Sequence, residues 1–138
     1  MSVTSLYPVL MSSDVAVAAR FYRDELGFEV SFESDWYVSL RVPGRDGAVF
    51  ELAILDRAHE TIPAPFRAAV RGVLVNVEVD DVDAVHARLV GERGCDVALP
   101  LRDEAFGQRH FIVIAPDGVL VDVIQPIEPA PEFAGAYA

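Results

Sequence analysis

Residues 73–94 read VLVNVEVDDVDAVHARLVGERG, and residues 6–27 read LYPVLMSSDVAVAARFYRDELG. Laid over each other, Asp14-Val15 meets Asp81-Val82 at an offset of 81 − 14 = 67, and at that offset Gly27 meets Gly94. Each stretch begins with an alternating apolar run, turns at an aspartate suited to cap a helix, and ends on a glycine suited to a left-handed helix stop. Further out, Asp46-Gly47 and Asp117-Gly118 stand 117 − 46 = 71 residues apart, each a turn signal before a valine-rich run. The chain is therefore an internal repeat, with a four-residue (71 − 67) insertion in the second copy between Gly94 and Asp117.

Each copy reads as strand, helix and three strands. The first comprises Leu6–Met11, a helix over Asp14–Leu26, then Glu29–Phe32, Trp36–Val42 and Ala48–Leu55. The second comprises Val73–Val79, a helix over Val82–Arg93, then Asp96–Leu99, Gln108–Ile114 and Val119–Ile124. The expected fold class is α+β. Two tandem βαβββ modules, about 5–55 and 73–124, form a curved, mixed eight-stranded sheet around a cavity, with helices on the outer face, as one domain over 1–138. A linker over 56–72 joins them, and the tail from Gln125 (125–138), rich in proline and alanine, is expected to be irregular or laid on a neighbour.

Alternation assigns the faces. Val73, Val75, Val77 and Val79 lie under the helices, which leaves Leu74, Asn76 and Glu78 on the other side; Tyr7, Val9 and Met11 are their counterparts. Phe50, Leu52 and Ile54 point inward with Val119, Val121 and Val123, leaving Val49, Glu51, Ala53, Leu120, Asp122 and Ile124 opposite. A half-polar sheet face with carboxylates at matching positions is the mark of a cavity.

Composition narrows the chemistry. The 138 residues carry 11 basic and 22 acidic side chains, a formal charge of −11. A chain of this length removes roughly 70% of its unfolded surface on folding, enough for a real core. Every basic residue is arginine, which rules out lysine Schiff bases and a phosphate-loop lysine. A sequence pI of 4.5 argues against nucleic acid. Cys95 is the single cysteine, so intrachain disulfides and multi-thiolate metal sites are excluded; it is read as a small core residue. No apolar run reaches membrane-spanning length and the N-terminus lacks a secretory core, so no membrane is expected and the location is read as cytoplasmic.

The ordered motifs Pro8-Val9-Leu10 with Asp14, Phe21-Tyr22 through Leu26-Gly27-Phe28, Val79 to Asp83, Phe106-Gly107-Gln108 and Ala115 to Gly118 resemble the vicinal oxygen chelate superfamily, across about residues 5–126. That group includes glyoxalase I, extradiol dioxygenases, and fosfomycin and bleomycin resistance proteins. The resemblance implies metal ligands, where present, on the first and last strand of each module; the matching positions here are Tyr7, Glu51, Leu74 and Asp122. Leucine cannot ligate, and two carboxylates fall short of the three protein ligands a catalytic site normally has, so no metal and no cofactor is expected.

Glu51 is the one candidate catalytic residue, as base or ligand, with pairing to Arg41 as its structural alternative. Asp122 has the alternative of partnering a hydroxyl or arginine, and His110 that of polar packing. His86 and His59 are read as surface residues. The expected ligand-binding set is Tyr7, Trp36, Tyr37, Glu51, Asn76, Glu78, Phe106, His110 and Asp122. Three functions remain open: a metal-independent binder, like the bleomycin resistance proteins, that sequesters an amphipathic aromatic or cationic compound; a glyoxalase-type lyase, isomerase or dioxygenase using Glu51; and an interaction domain with a collapsed pocket. Family members usually form homodimers, and a homodimer is expected here.

Overall fold

The computed structural model describes residues 1–137. The chain divides into two compact units, Met1–Arg71 and the part from Gly72 onward. In unit 1, strand β1 (Val9–Ser12) leads into helix α1 (Val15–Leu26), followed by β2 (Glu29–Glu33), β3 (Tyr37–Pro43) and β4 (Val49–Asp56). In unit 2, β5 (Leu74–Glu78) leads into α2 (Val82–His86), then β6 (Val97–Glu104), β7 (Gln108–Ile114) and β8 (Leu120–Pro126), and a short α3 (Pro131–Ala134). The eight expected strands are present, but as two four-stranded sheets ordered β1-β4-β3-β2 and β5-β8-β7-β6. In each, the first strand runs parallel to the last and the other pairs are antiparallel.

The repeat holds at the level of single hydrogen bonds. Asp14 caps α1 by accepting from the Val17 amide, and Asp81 caps α2 by accepting from the Ala84 amide, both at 3.1 Å. At the other end Phe28 N–H reaches Tyr22 O and Cys95 N–H reaches Leu89 O, with Gly27 (φ 74°) and Gly94 (φ 67°) in the left-handed region that lets the chain turn back. In both Asp-Gly turns the aspartate and the glycine have positive φ (58° and 78°; 63° and 72°), as a type I′ hairpin turn requires.

Each sheet buries one face beneath its helix: α1 packs on β3 and β4, and α2 on β7 and β8. Leu10, Val38, Leu40, Leu52 and Ile54 form the floor in unit 1, and Phe111, Val113, Val121 and Val123 in unit 2, all buried.

Several expectations are corrected. β1 starts at Val9, so Tyr7 precedes the strand, although Pro8 O still accepts from Ala53 N–H. The second helix stops at His86 and continues as a π-helical segment over Ala87–Glu92, where Arg93 N–H bonds five residues back to Arg88 O. β6 runs to Glu104, five residues beyond Leu99; it is an edge strand with two register shifts, and such a strand accommodates Pro100. Phe50 is 60% exposed rather than packed inward, because it sits at the β3–β4 turn and lays its ring against Gly44, where a Cβ would approach within 2.4 Å. The linker's Val70 N–H returns to Met11 O at 2.7 Å, and the start of the tail is tied to the β6–β7 turn of its own unit by the Ile127 and Ala130 amides.

Candidate functional site

The face of each sheet turned away from its helix carries the candidate residues. In unit 1 the register sets Tyr37, Ser39 and Arg41 of β3 opposite Leu55, Ala53 and Glu51 of β4, with Val9 and Met11 of β1 on the far side. Glu51 is exposed and accepts from Ser5 Oγ at 3.1 Å. Arg41 lies in register with Glu51 as the sequence suggested, yet its ion pair, at 3.5 Å, is with Glu29 on β2. Burial pushes the Tyr37 phenol above its usual value; the charge of, and a hydrogen bond with, Tyr7 add to the rise, while Ser39 opposes it. Tyr7, Tyr37 and Glu51 thus belong to one face.

Trp36 stands just ahead of β3 and is already in contact with a partner. Its ring stacks on His59 with centroids 3.8 Å apart and planes 8° from parallel. His59 is therefore no free surface residue: its Nδ1 accepts from the Thr61 amide at 3.2 Å while the ring covers the indole. Tyr37 and Phe32 extend the aromatic group, with centroids at 5.8 Å from Trp36 to Tyr37 and 6.2 Å from Tyr37 to Phe32. His86, also read as a surface residue, is half-buried and meets the Phe111 ring edge-on at 4.9 Å.

In unit 2 the open face gathers Leu74, Asn76 and Glu78 of β5, Leu120, Asp122 and Ile124 of β8, and Gln108, His110 and Ile112 of β7. Asn76 and Glu78 are exposed, while His110 and Asp122 are each only 5% exposed. His110 Nδ1 lies 2.7 Å from Asp122 Oδ1 and its Nε2 lies 2.8 Å from Glu104 Oε2. A carboxylate can only accept, so two carboxylates on one ring require both nitrogens to carry protons, and the ring is an imidazolium. Burial pulls the His110 value down, but the hydrogen bonds to Glu104 and Asp122, joined by their charges, outweigh it and the net direction is up. Glu104 moves the opposite way: the hydrogen bond from His110, then that from Arg102 (Nη2–Oε2 2.9 Å), holds its carboxyl below the usual range. On the helix side of β7, Arg109 joins Asp83 of α2 (2.8 Å) to Asp103 of β6 (3.0 Å).

Asp122 is consequently a partnered carboxylate, its partner being His110 rather than the hydroxyl or arginine that the sequence offered. Glu104, missed because β6 was ended too early, is the outer carboxylate of the group. Phe106 lies in the β6–β7 turn and packs edge-on against Phe133 at 6.3 Å. Two pockets lie off both open faces. One of about 670 Å³ lies between Asp103–Ala105 and the tail at Glu128–Pro131, and one of about 490 Å³ lies between α1 and the β2–β3 connection.

The donors do not suit a metal ion. Leu74 has no ligating atom, Asp122 is committed to His110, and Glu51 is engaged by Ser5. Among the described residues no group of three or more His, Cys, Asp or Glu side chains is placed to hold one. Nor, among these residues, is any helix long and apolar enough to cross a membrane.

This pair of repeated units, each a helix-backed sheet with a polar open face, defines a class. The chain belongs to the Glyoxalase/Bleomycin resistance protein/Dioxygenase superfamily, whose family model matches residues 5–123. No curated protein matches it significantly. Among solved structures it is similar to TnmS3, an antibiotic binding protein from Streptomyces sp. CB03234 (27% identity, TM-score 0.66, covering 91% of this chain and 98% of that one). It shares its fold with a lactoylglutathione lyase from Agrobacterium tumefaciens (22%, TM-score 0.68, 91% and 96%). The same holds for the bleomycin-binding protein of Streptomyces verticillus, solved with copper(II)-bleomycin (24%, TM-score 0.59, 89% and 96%).

Proposed function

We propose that the protein is a metal-independent small-molecule binder that sequesters an amphipathic, aromatic and cationic compound without changing it chemically. The observation that carries this reading is the open face of unit 1, which carries Tyr37, hydrogen-bonded to Tyr7, at one end of β3 and an exposed Glu51 on β4 four residues from Leu55, the register partner of Tyr37, with the Phe32–Tyr37–Trp36 aromatic group at the Tyr37 end. Flat rings stack on such aromatics, and a carboxylate near them favours a positive group. Glu78 and Asn76 offer an exposed carboxylate and amide on the open face of unit 2, and Leu74 withholds a metal ligand. The antibiotic-binding and bleomycin-binding neighbours support the same class of activity. We further propose a symmetric homodimer, since strands β2 and β6 leave sheet edges that soluble proteins tend to cover; light scattering at tens of micromolar checks it, and a monomer refutes it.

The binding test compares thermal shifts for ethidium, a flat permanent cation, with those for small anions such as phosphonates. Ethidium should raise the melting temperature in a concentration-dependent way and be recovered unchanged. Glu51→Gln should keep the fold and weaken ethidium about fivefold, since a unit charge at 4 Å in water-like surroundings is worth about 1 kcal/mol. Stabilisation by the anions alone, or turnover of a bound compound, would replace this reading with an enzyme built on Glu51.

A further inference from the structure

Beyond β8 the chain doubles back over the β6–β7 turn. Ile127 N–H donates to Gly107 O at 2.9 Å and Ala130 N–H to Ala105 O at 2.8 Å. Between these two bonds the Phe133 ring meets Phe106 edge-on, and the Tyr137 hydroxyl donates to the Phe106 carbonyl. Three consecutive turn residues, 105 to 107, are thus each gripped by the tail. The approach is close enough to dictate a residue type. Gly107 has φ 109°, and a Cβ there would lie 3.0 Å from Ile127 O and 3.3 Å from Pro129 Cβ.

The gripped turn is the segment that joins the chemistry of β6 to that of β7. Glu104, which accepts a hydrogen bond from His110, is one residue before it, and Phe106 is at its tip. Residues 131–137 are exposed, so the tail adds little to the core, and its contacts lie outside the sheet ladder. A hairpin end without such bracing belongs to the least protected part of a fold. We propose that residues 127–137 are a positioning strap that fixes the β6–β7 turn, and thereby keeps Glu104 on His110 and presents Phe106 to the ligand. This rests on the small-molecule reading above.

The test uses the full chain with Phe133→Ala, Phe133→Tyr and Tyr137→Phe, read by amide hydrogen exchange and by ethidium affinity. Loss of one edge-to-face pair should speed exchange at the Gly107, Ile127 and Ala130 amides roughly three- to tenfold and weaken ethidium by a similar factor. Exchange at Phe111 and Val123 in the buried strands should not change. Phe133→Tyr keeps the ring and should restore both readings, and Tyr137→Phe should reproduce part of the loss. Unchanged exchange in the turn overturns the strap. A loosened turn with wild-type ethidium affinity overturns its role in ligand capture. If the wild-type chain does not bind ethidium, the ligand reading and the ligand half of this proposal both fall, and the exchange data alone decide whether the strap exists.

Discussion

His110 holds two carboxylates at once inside a nearly closed setting, and removing it would leave Asp122 buried without a counter-charge. His110→Ala should therefore cost about 3–5 kcal/mol in urea denaturation, most of it recovered in the double variant with Asp122→Leu, because two absent charges need no partner. The same group sets a pH dependence. The His110 value lies above its ordinary value of about 6.5, so its contribution is full below that pH and is lost as pH rises through the raised folded value. Glu104 has the reverse sign: its contribution is present above the ordinary carboxylate value and lost as pH falls through the lowered one. Denaturation midpoints against pH should therefore decline on the alkaline side, and the double variant should flatten that limb. His110 and Asp122 were legible as members of one sheet face, since alternation alone places them. Their burial and mutual hydrogen bond were not, because these depend on which strand lies alongside and at what register.

Among the elements, the helix caps and turns were the most readable features, and for a local reason: an N-cap aspartate, a left-handed glycine and an Asp-Gly pair each act within a few residues. What escaped were departures from regular geometry: the π-helical segment after His86, the register shifts of β6, and Phe50 at a turn its helix does not reach. None of these has a sequence period of its own. Two glycines in the second repeat separate the cases. Gly94 stands at φ 67°, and Gly94→Ala should cost about 1–2 kcal/mol from the left-handed conformation alone. Gly91, within the π-helical segment, has open space where a methyl group would stand, and Gly91→Ala should be neutral or up to about 1 kcal/mol stabilising. Thermal melts of the two variants side by side read the difference.

At the scale of the whole molecule the charge of −11 acts at a distance that no single contact covers. Association of a cation such as ethidium should slow as salt screens that field, roughly tenfold between low and high ionic strength, while dissociation changes little. Stopped-flow mixing at several salt concentrations would show it, and a salt-independent association rate would mean that acidity plays no part in capture. The doubled architecture was legible because the two copies share their caps and turns at nearly one offset. The contents of the two open faces were less so, since the copies have diverged there: Tyr7 occupies the repeat position of Leu74, and Glu51 that of Asp122.

That divergence has an optical counterpart. Trp36 is the only tryptophan in the chain, it belongs to the first repeat, and its indole is covered on one side by the His59 imidazole. The second unit has tyrosine and phenylalanine alone as its fluorophores. Excitation at the red edge of protein absorption therefore lights one half of the duplication and leaves the other dark. A compound that slips between indole and imidazole would announce itself in emission colour and quenching. One chromophore, placed by a single stacking contact, makes the native chain its own reporter of a ligand engaged at the indole of the first copy.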